Sequence, residues 1–483
     1  MIFNKENLVK IFNNKSALKQ IMLCAFFSAL ALFCIAYLCY LFWQISFIFY
    51  FLSALFLAVV TIFLFLLTYL SPVSSLILCL VASFNPYYVY VTITSYWDGQ
   101  YIRALAEIIF LFLFALMFIL KSFLSEKITR IKTPLDAPLI IFSIFLIFGA
   151  LYGFWQGYPW KIILADLEPM GEFIAFFFLS TLVIKNEKQA KKVIIGLLVW
   201  LILVGVGELI FYFTPFGYGH LGYNRTLGGL PLDRLNDFMS LIAMCLLMAL
   251  YLCPASVKNK AVLILVSFIP MLVLFLSFFR SLWLGAIGTF VFILFFVGKY
   301  KKTIITLLLC FLILGTILIF ADRFLAQTVL DGRSIIEMFY EGIMRLNPFV
   351  IETKGLENYS EYSRLYQFQE FFQVIYKHPL IGTGFGPDTA AANYYLEIIY
   401  KLGMPAIFFF LLPFYIFFKN GISIFKSTEF GFNKGLRLGI LASFVAVGII
   451  LFVYPGIGHF PLMVYLGVMA ASFFTLNNKS LVQ

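Results

Sequence analysis

The chain has 483 residues, of which 63% are hydrophobic and only 12% charged, with a mean hydropathy of +1.00. Soluble domains carry roughly 25% charged residues, so this composition excludes a soluble globular enzyme and points to a chain embedded in a membrane. The net charge of +11 does not mark a nucleic-acid partner, because the basic residues follow a membrane-topology pattern.

A helix needs about 20 apolar residues to cross the hydrocarbon core. On that measure the sequence predicts about fourteen spans. They fall at 21–40, 45–70, 73–93, 104–124, 135–154, 169–184, 193–214, 236–252, 261–278, 282–298, 303–321, 396–418, 436–454 and 460–476. The predicted fold is all-α, a single polytopic transmembrane bundle over 1–483. Lys5, Lys10, Lys15 and Lys19 precede the first apolar run, which continues past Trp43. That run is too long for a signal peptide and reads as an uncleaved first span.

Every even-numbered connection between spans is basic or short, and every odd-numbered one is poor in lysine. With the start of the chain in the cytoplasm, 22 of the 34 Lys and Arg fall inside, against only Glu6, Glu126, Asp136, Glu187 and Glu429 among the acids. This is the positive-inside pattern, and it predicts both termini in the cytoplasm. It puts 322–392, the one large hydrophilic segment, on the extracytoplasmic side. Within that loop, Leu365, Phe368, Phe371, Phe372 and Ile375 recur at helical spacing over 361–377. Such a helix fits on the bilayer surface or as a cap on the bundle.

Smaller features carry less. Gly149, Gly153 and Gly157 stand four residues apart, which predicts close helix packing or a loop turn. The seven cysteines lie in or beside apolar runs and read as packing residues. His220, His378 and His459 have no metal-ligand spacing, so neither a zinc-type metal nor another cofactor is predicted. His378 precedes Pro379 and reads as a helix end. The run GTGFGP, 382–387, follows a helix rather than a strand, which argues against a nucleotide fold. It reads instead as a turn bringing Asp388 and Asn393 near the membrane.

Arginine is distributed unlike lysine. Arg103, Arg225, Arg234, Arg280, Arg323, Arg333, Arg345 and Arg364 fall outside, and only Arg130 and Arg437 inside. Two readings stand for each outer arginine. It either grips phosphate oxygens with its planar fork or pairs with an outer acid such as Asp233, Asp237, Asp322 or Asp331. Arg280 sits between two apolar runs, where an ionisable group is costly and commonly functional, unless it snorkels to the interface. The glycine-rich stretch 217–238 precedes a span, and Arg225, Arg234 and Asn236 there either line an outer cavity or belong to an ordinary polar turn.

Taken in order, these pieces resemble the O-antigen ligase and polymerase family over most of the chain, most closely from 217 to 405. The resemblance is carried by Arg225 with its following glycines, Asn236, Ser277–Arg280–Ser281, Ser363–Arg364, the run HPLIGTGFG at 378–386 and NYYLEIIYKLGMPA at 393–406. It implies a C-type integral-membrane glycosyltransferase in the bacterial inner membrane. Its donor would be a glycan on undecaprenyl diphosphate at the outer side, and its product lipopolysaccharide or a related surface polysaccharide. Its partners would be that donor, a glycan or lipid acceptor, and membrane lipids. By resemblance, Arg225, Arg280 and Arg364 bind the diphosphate, and Arg234, Asn236 and Asn393 complete the substrate site. Ligases of this family carry a histidine beside the asparagine of the NYYLE-type motif. Here that place is Ala391–Ala392–Asn393. Asp388 and Glu397 are then the nearby candidates for the catalytic base, with another outer acid or no discrete base as the remaining readings. The missing histidine favours a polymerase over a ligase. A lipid-linked glycan transporter and a noncatalytic lipid-carrier-binding protein are the readings from other classes. A transporter calls for polar residues at the bilayer midplane, whereas this chain concentrates its charge outside.

Overall fold

The computed structural model describes residues 71–84, 130–212, 226–227, 230–231, 235–253, 260–276, 280–296, 371–386, 394–429, 431–453 and 462–476. Two compact units divide the chain. Helix α1, Pro72–Phe84, belongs mainly to the first unit and begins with Pro72 behind Ser71, a favoured helix start. All other described elements belong to the second unit. The spans expected at 21–40, 45–70, 104–124 and 303–321, and 322–370 of the large loop, lie outside the described residues.

The second unit is a helix bundle. Its helices are α2 (Asp136–Trp155), α3 (Trp160–Val183), α4 (Glu187–Tyr212), α5 (Leu235–Leu252), α6 (Lys260–Leu276), α7 (Arg280–Phe296), α8 (Tyr394–Leu402), α9 (Met404–Ser427), α10 (Phe432–Val453) and α11 (Leu462–Thr475). The described part of the helix expected over 361–377 covers 371–377 and ends at His378, as its Pro379 neighbour predicts. The extended pieces are Thr226–Leu227 and Leu230–Pro231, paired antiparallel across Gly228–Gly229 in the sequence. Asp136–Trp155, Glu187–Gly207, Met404–Ser427 and Phe432–Phe452 are long and apolar enough to cross a membrane. Phe238–Leu252, Lys260–Leu274, Ser281–Phe296 and Leu462–Thr475 are shorter apolar helices.

Two expected spans are corrected. The span expected at 169–184 is a helix that begins at Trp160. Lys161, Asp166 and Glu168 interrupt the apolar run there, so hydropathy alone missed its first two turns. The span expected at 396–418 is two helices. Gly403, with φ of +84°, separates α8 from α9, and Pro405 then opens the new helix.

Burial follows helical periodicity. On α2, Pro138, Leu139, Phe142, Leu146, Gly149 and Gly153 face inward, while Ile140, Ile144, Ile147, Phe148 and Leu151 are exposed. An exposed apolar stripe of this kind fits a lipid-facing surface. Helix α11 is buried along its whole length, and α5 is buried from Phe238 to Leu250, so these two form the centre of the unit. An aromatic seam joins the helices around them. Phe142 meets Phe410 at 5.6 Å, Phe145 stacks on Phe409 at 4.4 Å, and Phe417 meets Phe444 at 4.3 Å and Phe473 at 5.3 Å.

Contacts fix the two ends of the bundle. At one end, Asn433 on α10 donates to Glu187 on α4 at 2.8 Å, and Glu187 pairs with Lys191 at 2.8 Å. Fully buried Arg437 donates to the Thr428 hydroxyl nearby. At the opposite end stand the α2–α3 turn, the 378–386 loop and α8. The starts of α5 and α7 are there too. A Cβ placed on Gly285 of α7 would lie 3.1 Å from both Ile450 of α10 and Leu241 of α5. Two residues away on α10, the Gly448 carbonyl accepts a 2.9 Å bond from Tyr395 of α8.

Candidate functional site

The site at this second end begins with a loop seated on glycines. Residues 378–386 follow the 371–377 helix and press against the C-terminal part of α2. The Phe385 N–H donates to the Gly149 carbonyl at 3.2 Å. A side chain at Gly153 has no room, since its Cβ would sit 1.9 Å from the Phe385 carbonyl oxygen. At Gly149 it would sit 2.1 Å from Leu402. Both glycines therefore serve close packing. Gly157 has φ of +83° with open space around it and makes the turn into α3. The predicted glycine series thus divides into two packing positions and one turn.

The same loop is stitched to the end of α8. Thr383 donates its N–H to the Tyr400 carbonyl at 2.9 Å, Gly384 to the Lys401 carbonyl at 2.9 Å, and Met404 to the Pro379 carbonyl at 2.9 Å. Gly382, Gly384 and Gly386 take φ values of +69°, +78° and +124°, a region closed to most side chains. A turn this dense in positive φ explains why the sequence there reads GTGFG.

Inside this frame lies a buried ion triad. The Lys401 ammonium donates to Asp166 Oδ1 at 2.8 Å and to Glu397 Oε1 at 2.6 Å. The second Asp166 oxygen accepts the Gly386 N–H at 2.8 Å. The side chains of Lys401, Asp166 and Glu397 keep only 6%, 14% and 20% of their surface exposed. Glu397 is thus the most accessible of the three. Helix α8 precedes Met404–Ser427, a helix long and apolar enough to cross a membrane. Burial pushes the Glu397 carboxyl above the usual carboxylate range; Lys401 opposes this and Asp166 adds to it. Burial works against the Lys401 ammonium, but Glu397 and Asp166 outweigh it and hold its pKa above the ordinary lysine value.

Among the residues singled out from the sequence, Glu397 stands in this triad. Arg280 is the first residue of α7 and Asn236 the second of α5, so both helix starts share the end of the bundle that holds Glu397. Arg225, Arg234, Arg364, Asp388 and Asn393 lie outside the described residues. Asp166 and Lys401 were missed. Lys401 had one local signal, its four-residue spacing from Glu397 on a helix. Asp166 had none, because its partners are 220 and 235 residues away in the chain.

Residues 261–411 match the family described as O-antigen ligase. The match runs from α6 through the first part of α9 and includes Arg280, the 378–386 loop and the triad residues Glu397 and Lys401. This match supports a place for the chain in the O-antigen ligase and polymerase family, whose members are glycosyltransferase-like enzymes, and the long apolar helices fit a membrane protein. No curated protein matches it.

Proposed function

We propose that the protein is a polymerase of bacterial surface polysaccharide. It would move a growing O-antigen-type glycan from undecaprenyl diphosphate onto a second lipid-linked glycan, at the outer side of the cytoplasmic membrane. Both termini are then cytoplasmic, as the lysine alternation predicts. The observation that carries the transferase reading is the shared end of the bundle. The helix starts bearing Arg280 and Asn236 stand there with Glu397, and the family match covers Arg280 and Glu397.

The chemistry follows from those residue types. A hydroxyl of the acceptor sugar attacks the anomeric carbon of the donor, and the bond from that carbon to the diphosphate oxygen breaks. A carboxylate, Glu397 or Asp388, takes the hydroxyl proton. Negative charge gathers on the departing diphosphate, and arginines already in place stabilise it without rearranging. Arg225, Arg280 and Arg364 hold that role in this reading, with Arg234, Asn236 and Asn393 contacting the glycan.

Polymerase is preferred to ligase because Ala391–Ala392–Asn393 lacks the ligase histidine. Purified protein given only lipid-linked repeat units is expected to make longer lipid-linked chains. If it makes none, yet transfers glycan once a lipid A core acceptor is added, the ligase reading replaces it. Arg280→Lys is expected to lose most of the activity, because an ammonium cannot make the bidentate contact. Full activity in that variant removes Arg280 from the site.

A further inference from the structure

Asp166 belongs to no motif of the sequence, and Lys401 lies in the 393–406 motif with no role assigned to it, yet the two make the most enclosed ion pair among the described residues. Glu397 paired with Lys401 alone would be a neutralised ion pair and a poor proton acceptor. Here one ammonium is divided between two carboxylates, at 2.6 Å from Glu397 and 2.8 Å from Asp166. Asp166 is itself fastened by the Gly386 N–H at 2.8 Å, so it cannot leave the ammonium without releasing the loop. Lys401, with 6% of its side chain exposed, has no solvent to turn toward.

We propose that Asp166 and Lys401 are positioning residues that act through Glu397. The shared ammonium aims the Glu397 carboxylate, and the competing Asp166 carboxylate prevents that ammonium from neutralising it. The triad carries a net charge of one negative unit, held where Glu397 faces the remaining accessible surface. This rests on the reading of Glu397 as the general base. Helices α2, α9 and α10 also pack against α8. Their charged residues Asp136, Lys419, Lys426, Lys434 and Arg437 stand at the far end of the bundle. Tyr394 on α8 is buried beside the triad, and Tyr152 of α2 and His378 border the loop. Among the described residues, the charges that act on Glu397 are Lys401 and Asp166.

The test is the pH profile of chain extension from lipid-linked repeat units by the full-length protein. Glu397 must be deprotonated to work, so activity falls on the acid side. Asp166→Asn keeps an oxygen for the Gly386 N–H but removes the negative charge. Its acid limb is expected to move to lower pH by about one unit, with KM for the lipid-linked donor unchanged. Lys401→Met is expected to move the limb up by about as much, and Lys401→Arg to restore it. If Asp166→Asn fails to accumulate, the Lys401 pair carries the test alone. Loss of activity in Glu397→Gln together with unmoved limbs in the Asp166 and Lys401 variants overturns the positioning role and leaves the base in place. Full activity in Glu397→Gln overturns the base reading itself.

Discussion

Replacing Lys401 by Met tests whether the triad holds this end of the bundle together. The variant retains most of the side-chain volume and removes the ammonium that the two carboxylates share. Asp166 and Glu397 are at most one-fifth exposed, so each would remain in a poorly hydrated site without its counter-ion. Breaking a buried pair from one side costs about 3–5 kcal/mol when the orphaned charge stays. Protonation relieves that cost, which gives the effect a direction in pH. In the variant the Glu397 carboxyl, already raised by burial, loses the cation that opposes that rise and binds protons more tightly when folded than in the unfolded chain, where such a group titrates near about 4. Such groups favour the folded state at low pH, and that contribution is lost as pH rises through their raised folded values. The deficit in thermal stability relative to the parent should therefore be large near roughly pH 8 and shrink toward about pH 5. Thermal unfolding of the detergent-solubilised protein, followed by tryptophan fluorescence, measures it. An equal Tm for parent and variant at the higher pH, or a deficit independent of pH, would refute the reasoning.

Three further outcomes are expected. Gly153→Val drives a side chain into the Phe385 carbonyl, where even a Cβ would lie 1.9 Å away. It should cost about 1–3 kcal/mol and open the 378–386 loop to limited proteolysis, whereas an unchanged cleavage pattern means the loop does not depend on that seat. Tyr395→Phe removes the 2.9 Å bond to the Gly448 carbonyl and should lower stability by about 0.5–1.5 kcal/mol, visible as a small drop in Tm. A single cysteine at Ser360 should react with an impermeant thiol reagent added to intact cells. Reaction only after permeabilisation would put the outer loop in the cytoplasm and remove the site from its lipid-linked donor.

The sequence by itself determined that this is a helical membrane protein, because hydropathy and the 3.6-residue period are properties of neighbouring residues. It placed the starts and ends of most described helices within a few positions. It singled out Arg280 from residue type and local setting and Glu397 through the family resemblance, and it read 382–387 as a turn rather than a phosphate loop. Only the tertiary structure decided where α8 parts from α9, since Gly403 takes its positive φ while its own N–H donates to the Ile399 carbonyl and the next N–H, that of Met404, donates to the Pro379 carbonyl. Only the tertiary structure brought Asp166 to Lys401 across 235 residues. A carboxylate inside an apolar run looks like an interruption until its counter-ion is known. That counter-ion comes from a distant helix, and no local pattern records such a meeting, because it is selected by the packing of the whole bundle.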